Sequence, residues 1–173
     1  PNQGVRMAPY SILKVTDREG NLLEENPPEP QDAIRADTAY VMTSIMRGVV
    51  EHGTAVKAGA LNWPIAGKTG TTDDFSDAWF LGFDPDITLG VWVGYDQKKP
   101  LGHGQSGAEA ALPIWVEIFK TWIGDRKEPP QFASPGNIVF VTVDKGSGDP
   151  LPEGTPGAIQ EAFIAGTQPG SIR

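Results

Sequence analysis

A cation, three hydroxyls and two glycines fall within six residues, Gly67-Lys68-Thr69-Gly70-Thr71-Thr72. An ammonium beside hydroxyl donors can hold an anion through charge-assisted hydrogen bonds, and glycine lets a ligand's backbone approach closely. One chemistry that uses such a Lys-Thr pair is the phosphate-cradling loop, G-x-x-x-x-G-K-[ST]. Asn62 stands where that loop needs its first glycine, and Pro64 removes an N–H from the nest that would bind phosphate. The loop must also open a helix at its lysine, whereas Gly70 and the Thr71-Thr72-Asp73-Asp74 run lead toward a strand. Nucleotide binding is therefore the remote alternative. A bland alternative, a turn with a solvated Lys68, is the default for any lone Lys-Thr-Gly.

The residues after the triplet make the pattern specific. Asp77-Ala78-Trp79-Phe80-Leu81-Gly82 and Val91-Trp92-Val93-Gly94 follow in order. Together with Gly67-Lys68-Thr69-Gly70-Thr71-Thr72 they resemble the transpeptidase domain of class A penicillin-binding proteins, serine acyl-transferases that act on D-alanyl peptides. Gly53-Thr54, Ala111-Leu112-Pro113-Ile114-Trp115 and the tail extend the resemblance over nearly the whole chain. It implies an α+β fold, an antiparallel β-sheet covered by helices, forming the C-terminal half of a serine β-lactamase/transpeptidase-like domain. A small β-containing tail would follow.

What the resemblance implies about chemistry attaches to matching residues only. Lys68 would lie on an edge strand facing the nucleophile, moving protons and holding the anionic end of the substrate. Thr69 and Thr71 would take the carboxylate of a terminal D-alanine, or of a β-lactam, through hydrogen bonds worth roughly 1.5–3 kcal/mol each. Gly70 would let the ligand lie flat along the strand, with Thr72 completing the binding edge. The Thr71 N–H would be one of two oxyanion donors, and losing such a donor typically costs on the order of 10²–10³ in rate. No cofactor is implied. The expected partners are the peptidoglycan stem peptide and β-lactam antibiotics.

The nucleophile is the missing part. Ser11-Ile12-Leu13-Lys14 satisfies the family's S-x-x-K, but that tetrad must open a helix so that serine and lysine share a face. Here it lies among β-formers, where positions i and i+3 point to opposite faces. No S-x-N triplet occurs in the sequence. Without the serine there is no acyl-enzyme. The expectation is an inert polypeptide that works with an N-terminal half of the transpeptidase domain carrying the serine. The chain has no initiator methionine and reads as a piece of a longer protein. That parent would resemble two-function enzymes anchored at the extracytoplasmic face of the bacterial inner membrane. The competing reading is a non-catalytic interaction module.

The elements that must position this edge can be read around it. Residues 64–95 predict a three-stranded antiparallel meander, its later strands at 77–83 and 87–95 flanking an Asp84-Pro85-Asp86 turn. Trp79, Phe80, Trp92 and Tyr95 would cover both faces, so at least one face needs helices. Gly90 and Gly94 suggest a helix packed closely on the last strand. Upstream, residues 10–15 and Leu22-Leu23 predict a hairpin around a turn at 17–21, followed by a proline-marked linker at 26–30. A helix should then start with Asp37 as N-cap and stop at Gly53, burying Val41, Met42, Ile45, Met46, Val49 and Val50.

Downstream, a glycine-rich loop at 102–107 should enter a second helix through a Ser106/Glu109 capping box, ending at Gly124. Pro113 either kinks this helix or begins a separate one. Its buried face should be Leu112, Trp115, Val116, Phe119, Trp122 and Ile123. The expected boundary falls at 128/129. Residues 129–173 should be an appendage with a strand at 138–143, a mobile Gly/Pro-rich loop at 144–157, a short amphipathic segment at 158–165 and a frayed end.

Composition bounds the rest. A chain of 173 residues can bury roughly 70% of its unfolded surface, enough for one real core. Fourteen Lys plus Arg against 22 Asp plus Glu give a formal charge of −8, which repels nucleic acid and anionic membranes. With no cysteine, disulfides and thiolate chemistry are excluded. His52 and His103 have no partner at ligand spacing, so each reads as a surface or capping residue rather than a metal ligand.

Overall fold

A computed structural model describes residues 2–170. In chain order it contains β1 (Val5–Met7), β2 (Lys14–Thr16), β3 (Leu22–Glu25), β4 (Pro30–Asp32), α1 (Ala36–Glu51), the short α2 (Val56–Gly59), β5 (Ala66–Thr71), β6 (Asp77–Phe83) and β7 (Thr88–Gly94). A π-helical turn, Gly107–Ala111, runs into α3 (Leu112–Ile123), and β8 (Ile138–Val143) and β9 (Ile159–Ile164) follow.

The meander forms as expected, an antiparallel sheet in the order β5-β6-β7. Its turn residues explain the reversals. The Asp84 carboxylate accepts the N–H groups of Asp86 and Ile87, both at 2.8 Å, closing the β6–β7 turn. The register pairs Lys68 with Leu81, Gly70 with Trp79 and Trp79 with Trp92. Because side chains alternate across a strand, Ala78, Phe80 and Val91 share the face toward α3, and all three are buried. Trp115 and Phe119 of α3 stack at 4.4 Å on this face, and Phe80 meets Trp115 edge-on at 5.1 Å. Leu112, Trp115 and Phe119 are fully buried, half the expected stripe, while Trp122 is partly exposed. The α-helix begins at Leu112 with Pro113 in its first turn, where a missing N–H costs nothing.

Several details differ from expectation. Asp37 is not the N-cap of α1: Arg35 occupies that position, and Asp37 sits one residue inside the helix, buried. Its carboxylate binds the Arg35 guanidinium and the Asn137 side-chain amide, so it ties the tail to the helix start. Met42 and Ile45 are 52% and 54% exposed, because α1 meets its neighbours along a narrower strip than its apolar positions offer. No helix packs on Gly90 or Gly94. A side chain there would strike Leu81 and Trp92 of the sheet itself. The helix comes close instead at Gly82, where an added Cβ would lie 2.6 Å from the Trp115 ring. Ser106 makes no side-chain cap, and the Glu109 carboxylate that the capping box needed pairs instead with Lys57 at 2.9 Å. His52 occupies the C-cap position of α1, its backbone N–H donating to the Gly48 carbonyl at 3.0 Å.

The termini also rearrange. The upstream hairpin is the β2–β3 pair, and a second, unforeseen pair joins β1 to β4. Residues 10–13 form no strand; the pairing begins at Lys14. In the tail the expected amphipathic segment is strand β9, fully paired with β8. The six residues Ile159–Ile164 satisfy their backbone in a ladder with β8 more readily than in an isolated turn of helix. The expected frayed end lies outside the described residues from 171 onward.

Candidate functional site

β5 is an edge strand, and the register decides which of its backbone groups are free. Thr72, one residue past β5, donates its N–H to the Asp77 carbonyl at 3.1 Å. Hydrogen-bonded pairs alternate with non-bonded ones in an antiparallel ladder. The even-numbered residues of β5 are therefore bonded to β6, and the N–H and C=O groups of Gly67, Thr69 and Thr71 point out of the sheet. That is the row of groups an extended peptide would pair with.

Side chains gather at the same edge. The Lys68 ammonium donates to the Thr69 carbonyl at 2.7 Å and lies 3.5 Å from Thr69 Oγ1. Lys68 thus reaches around to the open edge and is exposed there. Thr69 Oγ1 is 3.1 Å from Thr54 Oγ1, in the turn after α1. Thr71 Oγ1 accepts the Gly107 N–H at 2.9 Å. Lys68, Thr69, Gly70 and Thr71 are therefore brought together. Thr72 is not: its hydroxyl accepts the N–H groups of Ser76 and Asp77, each at 3.0 Å, and is committed to the β5–β6 turn.

The electrostatics around the edge follow from these contacts. Bonds to Ser76 and Thr72, then the nearby Lys98, hold the Asp74 carboxyl down to about 2, so the turn carries a fixed negative charge. Glu109, the acid of the π-helical turn behind Thr71, is paired with Lys57. Lys68 has no carboxylate within ion-pair distance among the described residues, and its charge is open to an incoming anion. Two participants escaped sequence reasoning, the Thr54 hydroxyl as partner of Thr69 and the Gly107 N–H as partner of Thr71. The only signal for either was resemblance, because each contact joins residues distant in sequence.

A family model described as the penicillin binding protein transpeptidase domain matches residues 1–120. The chain belongs to that family. It is 42% identical over 172 residues to penicillin-binding protein 1A of Aquifex aeolicus, covering 97% of this chain and 23% of that protein. With penicillin-binding protein 1A of Pseudomonas aeruginosa it shares 40% over 147 residues, 84% of this chain and 18% of that one. The chain thus spans about a fifth of the length of these curated relatives.

Solved structures agree. The crystal structure of penicillin-binding protein 1A from Haemophilus influenzae superposes with a TM-score of 0.84 at 27% identity, over 99% of this chain and 31% of that one. A D,D-transpeptidase domain from Eggerthella lenta gives 0.51 at 28% identity, over 68% of this chain and 29% of that one. The α+β class expected from sequence is the class observed. No helix among the described residues is long and apolar enough to cross a membrane.

Proposed function

We propose that residues 67–71 are the carboxylate-gripping edge of a D,D-transpeptidase that cross-links peptidoglycan stem peptides through a serine acyl-enzyme. The observation that carries this reading is the convergence, on one open strand edge, of the outward Thr69 and Thr71 N–H groups with the Lys68 ammonium and the hydroxyls of Thr69 and Thr71. A stem peptide would pair with β5 as an added strand, with its terminal carboxylate against the two hydroxyls. The Thr71 N–H would bind the developing oxyanion, Lys68 would assist proton movement, and Gly70 would leave room for the ligand. The same edge would take the carboxylate of a β-lactam. Thr72 shapes the turn that holds the edge and is assigned no ligand contact.

The serine comes from outside these residues. Ser11 lies in an exposed bend before β2 and has no helix to align it with Lys14. The partner is an N-terminal half of the transpeptidase domain, in a parent held at the extracytoplasmic face of the inner membrane. Within this chain, residues 1–128 serve the transpeptidase domain and 129–173 are an appendage that contains the β8–β9 pair.

The test supplies residues 1–173 with the part of the Aquifex aeolicus relative outside the match, either as a separate polypeptide or in one continuous chain. A fluorescent penicillin is then added. Label should appear with both parts, not with residues 1–173 alone, and fall at least about tenfold with Lys68→Ala or Thr71→Val. Equal labelling by wild type and both variants would leave the chain as a non-catalytic interaction module.

A further inference from the structure

Thr71 has one hydroxyl proton and two lone pairs. One lone pair is taken by the Gly107 N–H at 2.9 Å, and the peptide group that donates it comes from the start of the π-helical turn, 36 residues away in sequence. A hydroxyl that accepts from a fixed N–H turns its own proton away from that donor. We propose that Gly107 is a positioning residue: by holding one lone pair of the Thr71 hydroxyl it polarises that hydroxyl and biases it toward donating, so that the edge favours a terminal carboxylate over a terminal carboxamide. The proposal rests on the function proposed above and adds a residue that touches no ligand.

The space around Gly107 is what makes the contact possible. A Cβ there would lie 2.3 Å from the Trp79 carbonyl oxygen, 2.6 Å from the Gly70 carbonyl oxygen and 3.2 Å from the Gly70 nitrogen. All three neighbours are strand backbone, which cannot swing aside as a flexible side chain would. Gly107 is itself buried and has an ordinary negative-φ backbone, so the requirement is for room and not for an unusual conformation. Any larger residue must lift the turn from β5 and β6 and lengthen the bond to Thr71. The turn is otherwise braced, by Ala111 and Leu112 in the core and by the Glu109–Lys57 ion pair. Its position is therefore set independently of any ligand.

Carboxylate and carboxamide separate donation from mere fit, because they are nearly the same shape. A carboxylate only accepts, whereas a carboxamide presents an N–H₂ that needs an acceptor. With one Thr71 lone pair held by the Gly107 N–H, the hydroxyl is polarised toward donation, so it pairs better with a carboxylate than with a carboxamide N–H₂, which is offered only the one remaining lone pair.

The experiment uses the complete two-part protein described above, with a fluorescent penicillin and the same compound carrying a carboxamide in place of its ring carboxylate. The readout is the ratio of the two labelling rates. Wild type and Thr71→Ser should prefer the carboxylate by a similar factor. Thr71→Val, which keeps the shape and removes the hydroxyl, should lower that preference about ten- to a hundredfold. Gly107→Ala should lower it comparably in the native background and have no further effect on it in the Thr71→Val background. Circular dichroism reports whether Gly107→Ala is folded. If it is not, amide exchange at Gly107 replaces it, with protection expected in wild type and Thr71→Ser and lost in Thr71→Val.

An unchanged ratio in folded Gly107→Ala, an additive effect in the double variant, or Gly107 exchange indifferent to Thr71→Val would each overturn the proposal. Absence of label in wild type would overturn the functional reading instead, and this one with it.

Discussion

Trp115 is the side chain through which α3 holds the sheet, and its removal should be the most damaging single change in the core. It is fully buried, stacked on Phe119 at 4.4 Å, edge-on to Phe80 at 5.1 Å, and its indole N–H donates to the Leu89 carbonyl at 2.9 Å. Trp115→Ala opens a cavity that no neighbour can fill, since Gly82 beneath it has no side chain to move; about 3–5 kcal/mol is expected. Trp115→Phe keeps most of the stack but leaves the Leu89 carbonyl without its donor, for about 1–3 kcal/mol. For a domain of this length each kcal/mol lowers Tm by about 2–4 °C, so the two variants should melt about 6–20 °C and about 2–12 °C below wild type. Trp79, 43% exposed on the other face and tilted against Trp92 at 6.1 Å, supplies the control. Trp79→Ala should cost about 1 kcal/mol, mainly the ring pair. Urea melts followed by circular dichroism measure all three. If Trp115→Phe cost as much as Trp115→Ala, the hydrogen bond rather than the stack would hold α3. If Trp79→Ala cost more than either, the covered face would not be the core.

Bonds to Arg35 and then to Asn137 hold the Asp37 carboxyl down to about 2, below its unfolded value. A depressed carboxyl contributes stability that is complete above the unfolded pKa and disappears as pH falls through the folded one. Wild type should therefore lose more stability than Asp37→Asn between about pH 4 and pH 2 in acid melts, and parallel curves would remove Asp37 from the account. Burial raises the Glu161 carboxyl, with His52 opposing the shift and Glu51 adding to it. Its contribution is present at low pH and lost as pH rises past the unfolded value, so Glu161→Gln should raise Tm at pH 7 and leave it unchanged at pH 3. Gly82→Ala should destabilise by about 1–3 kcal/mol through overpacking against Trp115, read by the same urea melts, whereas Gly104→Ala, with open space around it, should be limited to the strain of its positive φ. Lys68→Arg should preserve solubility, since the charge remains, and lower penicillin labelling, since the compact ammonium is gone.

What could be read in advance depended on distance along the chain. The meander was legible because its turn residues Asp84-Pro85-Asp86 act on the strands they join, whereas the bonds of Thr72 to Ser76 and Asp77 that close the other turn were not read. The buried face of α3 was legible because Leu112, Trp115 and Phe119 recur at helical spacing. Asp37 misled because a carboxylate just before an apolar helix is a good cap by type, while its real partners are Arg35 beside it and Asn137, 100 residues on. Strand β9 was hidden by its brevity, since six residues of mixed polarity carry little period of either kind and only β8 turns them into a ladder. Gly107 could not have been distinguished from its neighbouring loop glycines, for its meaning lies in two carbonyls of other strands.

The edge itself admits a plainer account, in which Lys68 merely guards an unpaired strand against association with another chain. A guard needs charge directed into solvent and nothing more. Lys68 instead folds its ammonium back onto the outward Thr69 carbonyl. The neighbouring hydroxyls are each held by partners from different parts of the chain, Thr69 by Thr54 and Thr71 by Gly107. Ordering those contacts costs conformational entropy that a guard has no reason to meet. Glycine at position 70 also argues against protection, because it removes the side chain that would most simply obstruct a pairing strand and leaves only Trp79 beneath. On the function proposed above, an edge kept open, charged and lined with held hydroxyls would receive one kind of strand, an anionic one, and the cost of that openness is met where the strand has work to do.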